Sequence, residues 1–160
     1  MKERLYEFFE HTADIGIRVK GKTLKDLFRN SAMAMFELIA KKKLQSHPPA
    51  KLRASKATLR LSSGLTRSQI KKYNIKQEAN TLDELFINWL NELLSLSATK
   101  ELIFFDFLIH KLTSKNLQAT AKGSYFKNYE LNREIKAATY HDLKLEKSKS
   151  GWQTQIIFDV

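Results

Sequence analysis

Glu10-His11-Thr12-Ala13-Asp14-Ile15-Gly16-Ile17-Arg18-Val19-Lys20-Gly21-Lys22-Thr23-Leu24-Lys25-Asp26-Leu27-Phe28 changes its hydrophobic period partway along. Up to Lys20 it alternates. Ile15, Ile17 and Val19 share one face and Gly16, Arg18 and Lys20 the other, the period-2 pattern of a half-buried strand. Gly21 closes that strand, and a shorter one over 5–9 precedes it. Thr23 then opens a helix, with Asp26 three residues on as in a capping box. Leu24, Leu27, Phe28, Ser31, Ala32, Met35, Leu38 and Ile39 follow the i, i+3, i+4, i+7 spacing of an amphipathic helix. Met33 and Met35 read as core filler. Asp14 falls at the mouth of the strand. Aspartate is a poor strand former, so its place there points to a turn role or a ligand role, and this stretch leaves both open.

Working outward, the helix runs into Lys41-Lys42-Lys43, whose cations suit a helix C-terminus. Pro48-Pro49 interrupts regular structure, and a strand is expected over 52–61. Residues 65–79 read as one helical turn or a loose basic loop. A second helix opens at Asn80-Thr81, with Glu84 three residues after the threonine. Leu82, Leu85, Phe86, Trp89, Leu90, Leu93 and Leu94 make a stripe too wide for a surface helix, so this one is expected at the centre of the core. The two helix openings, 23–28 and 81–86, are alike. Two related strand–helix–strand halves would explain this, and so would shared capping chemistry. Strands follow over 102–112, 117–125, 135–145 and 152–158. Two helices and a run of consecutive strands predict an α+β fold with a mixed or antiparallel sheet, in a single domain over 1–160.

Bulk composition narrows the chemistry. With 160 residues, 42% hydrophobic and 28% charged, the chain can bury a core without staples. It has no cysteine, which excludes thiol catalysis, disulfides and cysteine-type zinc sites. The first residues alternate charged and apolar side chains without the apolar run of a secretory signal, and no stretch approaches the roughly 20 apolar residues of a spanning helix. A cytoplasmic protein, with no membrane partner, is the expectation. Basic residues exceed acidic ones, 28 to 17, and the eleven between Leu38 and Gln77, where no acid occurs, account for the whole excess. Such a segment, 38–79, attracts polyanions or is simply a solvated lysine-rich surface.

Catalytic signatures are missing: no glycine-rich phosphate loop, no His-x-x-x-His, no Gly-x-Ser-x-Gly elbow. No general base stands at catalytic spacing, which argues against a stand-alone hydrolase. The histidines, His11, His47, His110 and His141, are scattered. The apolar run Ile156-Ile157-Phe158 ends in Asp159 and Val160 with its carboxylate. If the strand end bearing Asp14 lies beside it, three carboxylates converge and require a cation. All-oxygen ligands suit Ca²⁺, Mg²⁺ or Mn²⁺. The alternative is that Asp159 merely keeps the terminus in water.

Four blocks in order, 10–16 with Gly21-Lys22-Thr23-Leu24, Trp89-Leu90-Asn91-Glu92-Leu93-Leu94, Lys136-Ala137-Ala138-Thr139-Tyr140-His141 and Asp159-Val160, make the chain resemble the archease family, protein cofactors of tRNA-splicing RNA ligases. The resemblance spans nearly the whole chain. It implies a non-catalytic activator that promotes ligase guanylylation and multiple turnover in tRNA splicing and RNA repair. It implies a divalent ion, Ca²⁺ first, held by Asp14, Asp159 and Val160. His11, Lys136, Tyr140 and His141 match family motifs as supporting or partner-contacting residues. The basic residues over 41–76 depart from the mixed or acidic charge common in the family. They keep a second reading open, a chaperone-like or RNA-binding module that contacts tRNA and assists a tRNA-modifying enzyme.

Overall fold

The computed structural model describes residues 4–43, 61–62 and 64–160. The opening stretch folds as its periods require. Strands β1 (Tyr6–His11) and β2 (Asp14–Gly21) form a hairpin whose turn holds Thr12 in the left-handed region, φ 52°. Helix α1 (Leu24–Ile39) starts with a full capping box: Thr23 Oγ1 accepts from the Asp26 N–H and Asp26 Oδ2 from the Thr23 N–H. The second helix, α2 (Leu82–Lys100), is capped by Thr81 in the same way, although Glu84 reaches back to the Asn80 N–H instead. The likeness of the two openings is the likeness of these caps.

Between the helices one expectation fails and a second holds only for its helical turn, at Arg67–Gln69. Helix α1 does not run out in lysines. Ala40 turns extended and β3 (Ala40–Lys42) pairs with β7 (Tyr129–Leu131), because that partner supplies ladder hydrogen bonds a lysine-ended helix would leave to water. Residues 65–79 are not a loose loop: a 3₁₀ turn at Arg67–Gln69 leads into β4 (Lys71–Glu78). Ile75, and in part Tyr73, point to the core, while Lys72, Asn74, Lys76 and Glu78 point to solvent. Of the strand expected over 52–61, only Leu61 is described, and its backbone is helical; the rest, with the Pro48-Pro49 break and His47, lies outside the described residues.

The remaining strands are β5 (Leu102–Leu112), β6 (Asn116–Tyr125), β8 (Ala137–Ser148) and β9 (Gly151–Asp159). Besides the two-stranded β3-β7 pair, one sheet has four strands in the order β1-β2-β9-β8 and one has three in the order β4-β6-β5, and every pairing is antiparallel. The fold is α+β, as the pattern predicts. Helix α1 packs on β2 and β9 of one sheet and on β5 of the other, and α2 on β8, β5 and β4. Both helices are therefore central, not α2 alone. Phe28 and Phe86 meet edge to face between them at 5.1 Å, and Trp89 donates from Nε1 to the Phe28 carbonyl at 3.0 Å within the core. Met33 and Met35 are buried there as filler. No helix among the described residues is long and apolar enough to cross a membrane.

Candidate functional site at the end of the four-stranded sheet

Register brings the two ends of the chain together. Strand β2 pairs with β9 from Gly21↔Trp152 to Ile15↔Phe158, and Asp14 and Asp159 are the next residues of the two strands beyond that last pair. Asp14 in turn faces His11 across the hairpin, and Asp159 faces Ala137. The Lys136 N–H donates to the Asp159 carbonyl at 2.8 Å, which ties that motif to the end of β9. Val160 follows directly and is half-buried, as is Asp14; Asp159 and Lys136 are exposed. Asp14 and Asp159 offer only carboxylate oxygens. That donor chemistry fits a hard divalent cation and not zinc or copper.

The alternation that fills the inner face leaves Phe9, His11, Asp14, Gly16, Ile157 and Thr139 on the outer one. Phe9 lies over Gly16 so closely that a Cβ there would fall 2.2 Å from the ring. Arg18 caps the same ring at 4.3 Å. Ile157 is buried although it faces away from the helices.

Strand β8 flanks β9 at this position, with Thr139 opposite Ile157. Its register against β9 breaks between Thr139 and Lys144, and the extra residues Tyr140 to Leu143 form a bulge with Asp142 in the left-handed region, φ 50°. The bulge carries His141 across the sheet to His11 of the far edge strand, ring centroids 5.2 Å apart. Asp142 Oδ2 lies 3.5 Å from His11 Nε2 and 3.5 Å from His141 Nε2. Among the described residues, these three form the one group of three such side chains whose donor atoms lie within 4.8 Å of one another. Neither Asp14 nor Asp159 is part of it. Sequence reading missed Asp142 altogether; a lone aspartate in the middle of a predicted strand was the available signal.

Two family-like blocks touch here. Asn91 of α2 donates from Nδ2 to the Ala138 carbonyl at 3.1 Å and accepts from the Ala138 N–H at 2.7 Å. A single side-chain amide thus closes the free main-chain edge of β8 just before the bulge, where an unpaired edge would invite another strand. Tyr140 is exposed beside the start of α2, and its hydroxyl holds its proton above the usual tyrosine range through partial desolvation, then through the negative charges of Glu84 and Asp83. At the far end of the same face a groove of about 370 Å³ is lined by Arg4, Arg18, Lys20 and Lys144 among others.

The molecule is an antiparallel α+β scaffold that gathers acidic and imidazole donors at one end of its four-stranded sheet. Residues 6–160 match the archease protein family. The chain is 32% identical to protein archease of Methanosarcina acetivorans, over 97% of this chain and 95% of that one. It is also 32% identical to that of Pyrococcus furiosus, over 98% and 99%. The protein belongs to the archease family. The solution structure of Methanobacterium thermoautotrophicum protein 1598 superposes with a TM-score of 0.63 at 24% identity, covering 98% of this chain and 99% of that one. The crystal structure of an "archease, possible chaperone" from Thermotoga maritima gives 0.58 at 20% identity, covering 100% and 98%. Both likenesses are of fold.

Proposed function

We propose that this protein is a non-catalytic, metal-binding activator of a tRNA-splicing RNA ligase. It raises guanylylation of the ligase and its multiple turnover on RNA ends in splicing and repair. The observation that supports this reading is the β2–β9 pairing, which ends at Ile15↔Phe158 with Asp14 next on one strand and Asp159 and Val160 next on the other, in a chain of the archease family. Those three residues would hold a hard divalent ion, Ca²⁺ in first place, with Mg²⁺ or Mn²⁺ as alternatives. A cation of this kind neutralises phosphate charge and orients oxygen ligands at a nucleotidyl-transfer centre. Lys136 secures Asp159 through its main chain and leaves its ammonium for the partner. Tyr140 and His141, exposed on the bulge, extend the contact surface beside the carboxylates, and His11 supports it from the hairpin.

The test is multiple-turnover joining of a 2′,3′-cyclic-phosphate end to a 5′-hydroxyl end by the ligase, with and without this protein. Wild type is expected to raise the number of turnovers, and Asp14→Ala or Asp159→Ala to abolish the gain together with Ca²⁺ binding. No gain from wild type, or a full gain from Asp14→Ala, would sink the reading.

A chaperone-like or RNA-binding module is the second reading. The cations at 41–76 favour it. It expects salt-sensitive tRNA binding by the protein alone, lost when Lys71, Lys72 and Lys76 are neutralised.

A further inference from the structure

We propose that His11, His141 and Asp142 form a second metal site, for a borderline transition ion such as Zn²⁺ or Co²⁺, separate from the carboxylates of Asp14 and Asp159. It goes beyond the ligase reading and does not depend on it.

Geometry is the first argument. A tetrahedral ion bonded at about 2.0–2.2 Å keeps neighbouring donors about 3.4 Å apart. Both edges from Asp142 Oδ2 to the imidazole Nε2 atoms are 3.5 Å, and all three donors lie within 4.8 Å of one another. Nitrogen–oxygen separations of 3.5 Å are long for hydrogen bonds and match the edges of a tetrahedral donor set. The chain holds this arrangement with a non-glycine residue in the left-handed region, at the very position that supplies the carboxylate.

Donor chemistry is the second argument. Two imidazoles and one carboxylate select zinc-like ions over Ca²⁺ or Mg²⁺, which take oxygen ligands. His11 Nδ1 is buried without a hydrogen-bond partner, so Nε2 is the ring nitrogen a ligand can reach, and Nε2 is the atom that faces Asp142. The side chains of His141 and Asp142 are more than half exposed. Three protein donors leave a fourth position open to water or to a group brought by a partner, the pattern of exchangeable sites as opposed to closed structural ones.

The experiment is titration of the metal-stripped full chain with Co²⁺, followed by the visible absorption of tetrahedral cobalt, and with Zn²⁺ in competition. One equivalent is expected to bind. His141→Ala and Asp142→Ala are each expected to weaken binding at least tenfold and to bleach the cobalt bands. Asp159→Ala is expected to leave both unchanged. Ca²⁺ titration of the same variants keeps the two sites distinguishable: the bulge variants should retain whatever Ca²⁺ affinity wild type has. Because both bulge residues lie on the surface, circular dichroism is expected to report an intact fold. Absence of stoichiometric Co²⁺ or Zn²⁺ uptake, or uptake indifferent to His141 and Asp142, would overturn the site. Uptake lost equally in Asp159→Ala would overturn its separateness.

Discussion

Removing the Asn91 amide tests how the bulge is held. Ala138 is 4% exposed, and its N–H and C=O both end on Asn91. In Asn91→Ala both main-chain groups lose that partner. A fully buried orphan costs about 1–3 kcal/mol, and water entering the vacated space recovers part of it, so the two together should cost about 2–4 kcal/mol. For a chain of this size, with about 2–4 °C per kcal/mol, the melting temperature should fall by about 4–16 °C. Asn91→Asp should be no better. It keeps the acceptor for the Ala138 N–H but sets a carboxylate oxygen against the Ala138 carbonyl. Urea unfolding measures the loss, and hydrogen exchange at the Ala138 amide locates it. A cost below about 0.5 kcal/mol in Asn91→Ala, with Ala138 exchange unchanged, would refute the clamp, because that is the range of an uninvolved surface substitution.

Two further outcomes are expected. Tyr129, buried with its hydroxyl donated to the Leu61 carbonyl at 2.7 Å, keeps its proton far above its ordinary value of 10.0, chiefly because burial penalises the phenolate. The folded state therefore retains a proton that the unfolded state gives up. Stability should be intact below about pH 10 and fall as pH rises further, and denaturant midpoints across that range should fall less steeply in Tyr129→Phe. Gly21→Ala would place a Cβ 2.5 Å from the Leu27 nitrogen and 2.8 Å from its Cα, in the first turn of α1. Helix backbone cannot yield as a side-chain tip does, so a cost of about 1–3 kcal/mol is expected, read as a lowered melting temperature. An unchanged melting temperature would mean that β2 and α1 do not meet as described.

What the sequence revealed of this fold, it revealed through period. Ile15, Ile17 and Val19 alternate because one face of β2 lies on α1, and the stripe on α2 is wide because two sheets flank the helix layer. Strand β4 was hidden. Its inner face shows only Tyr73 and Ile75 as strong apolar signals, set among lysines and an asparagine that belong to the wet face. The lysines after α1 misled because their pairing partner, β7, lies far along the chain, and no local rule sees it. For the site, the motifs marked His11, Asp14, His141 and Asp159 and included Asn91, whereas what Asp142 and Asn91 do was legible only in space. The role of Asp142 depends on a register break, and Asn91 recognises main chain, which leaves no complementary side chain to read.

The central position of β9 has a consequence for how the molecule is made. Strand β2 precedes its second partner by more than a hundred residues and waits for 151–159 before that edge is covered. Until then it has only β1, and a two-stranded ribbon is marginal in water. Closing so long a loop is entropically costly and slows folding. The sheet end that carries Asp14 and Asp159 therefore takes shape only once β9 has docked between β2 and β8.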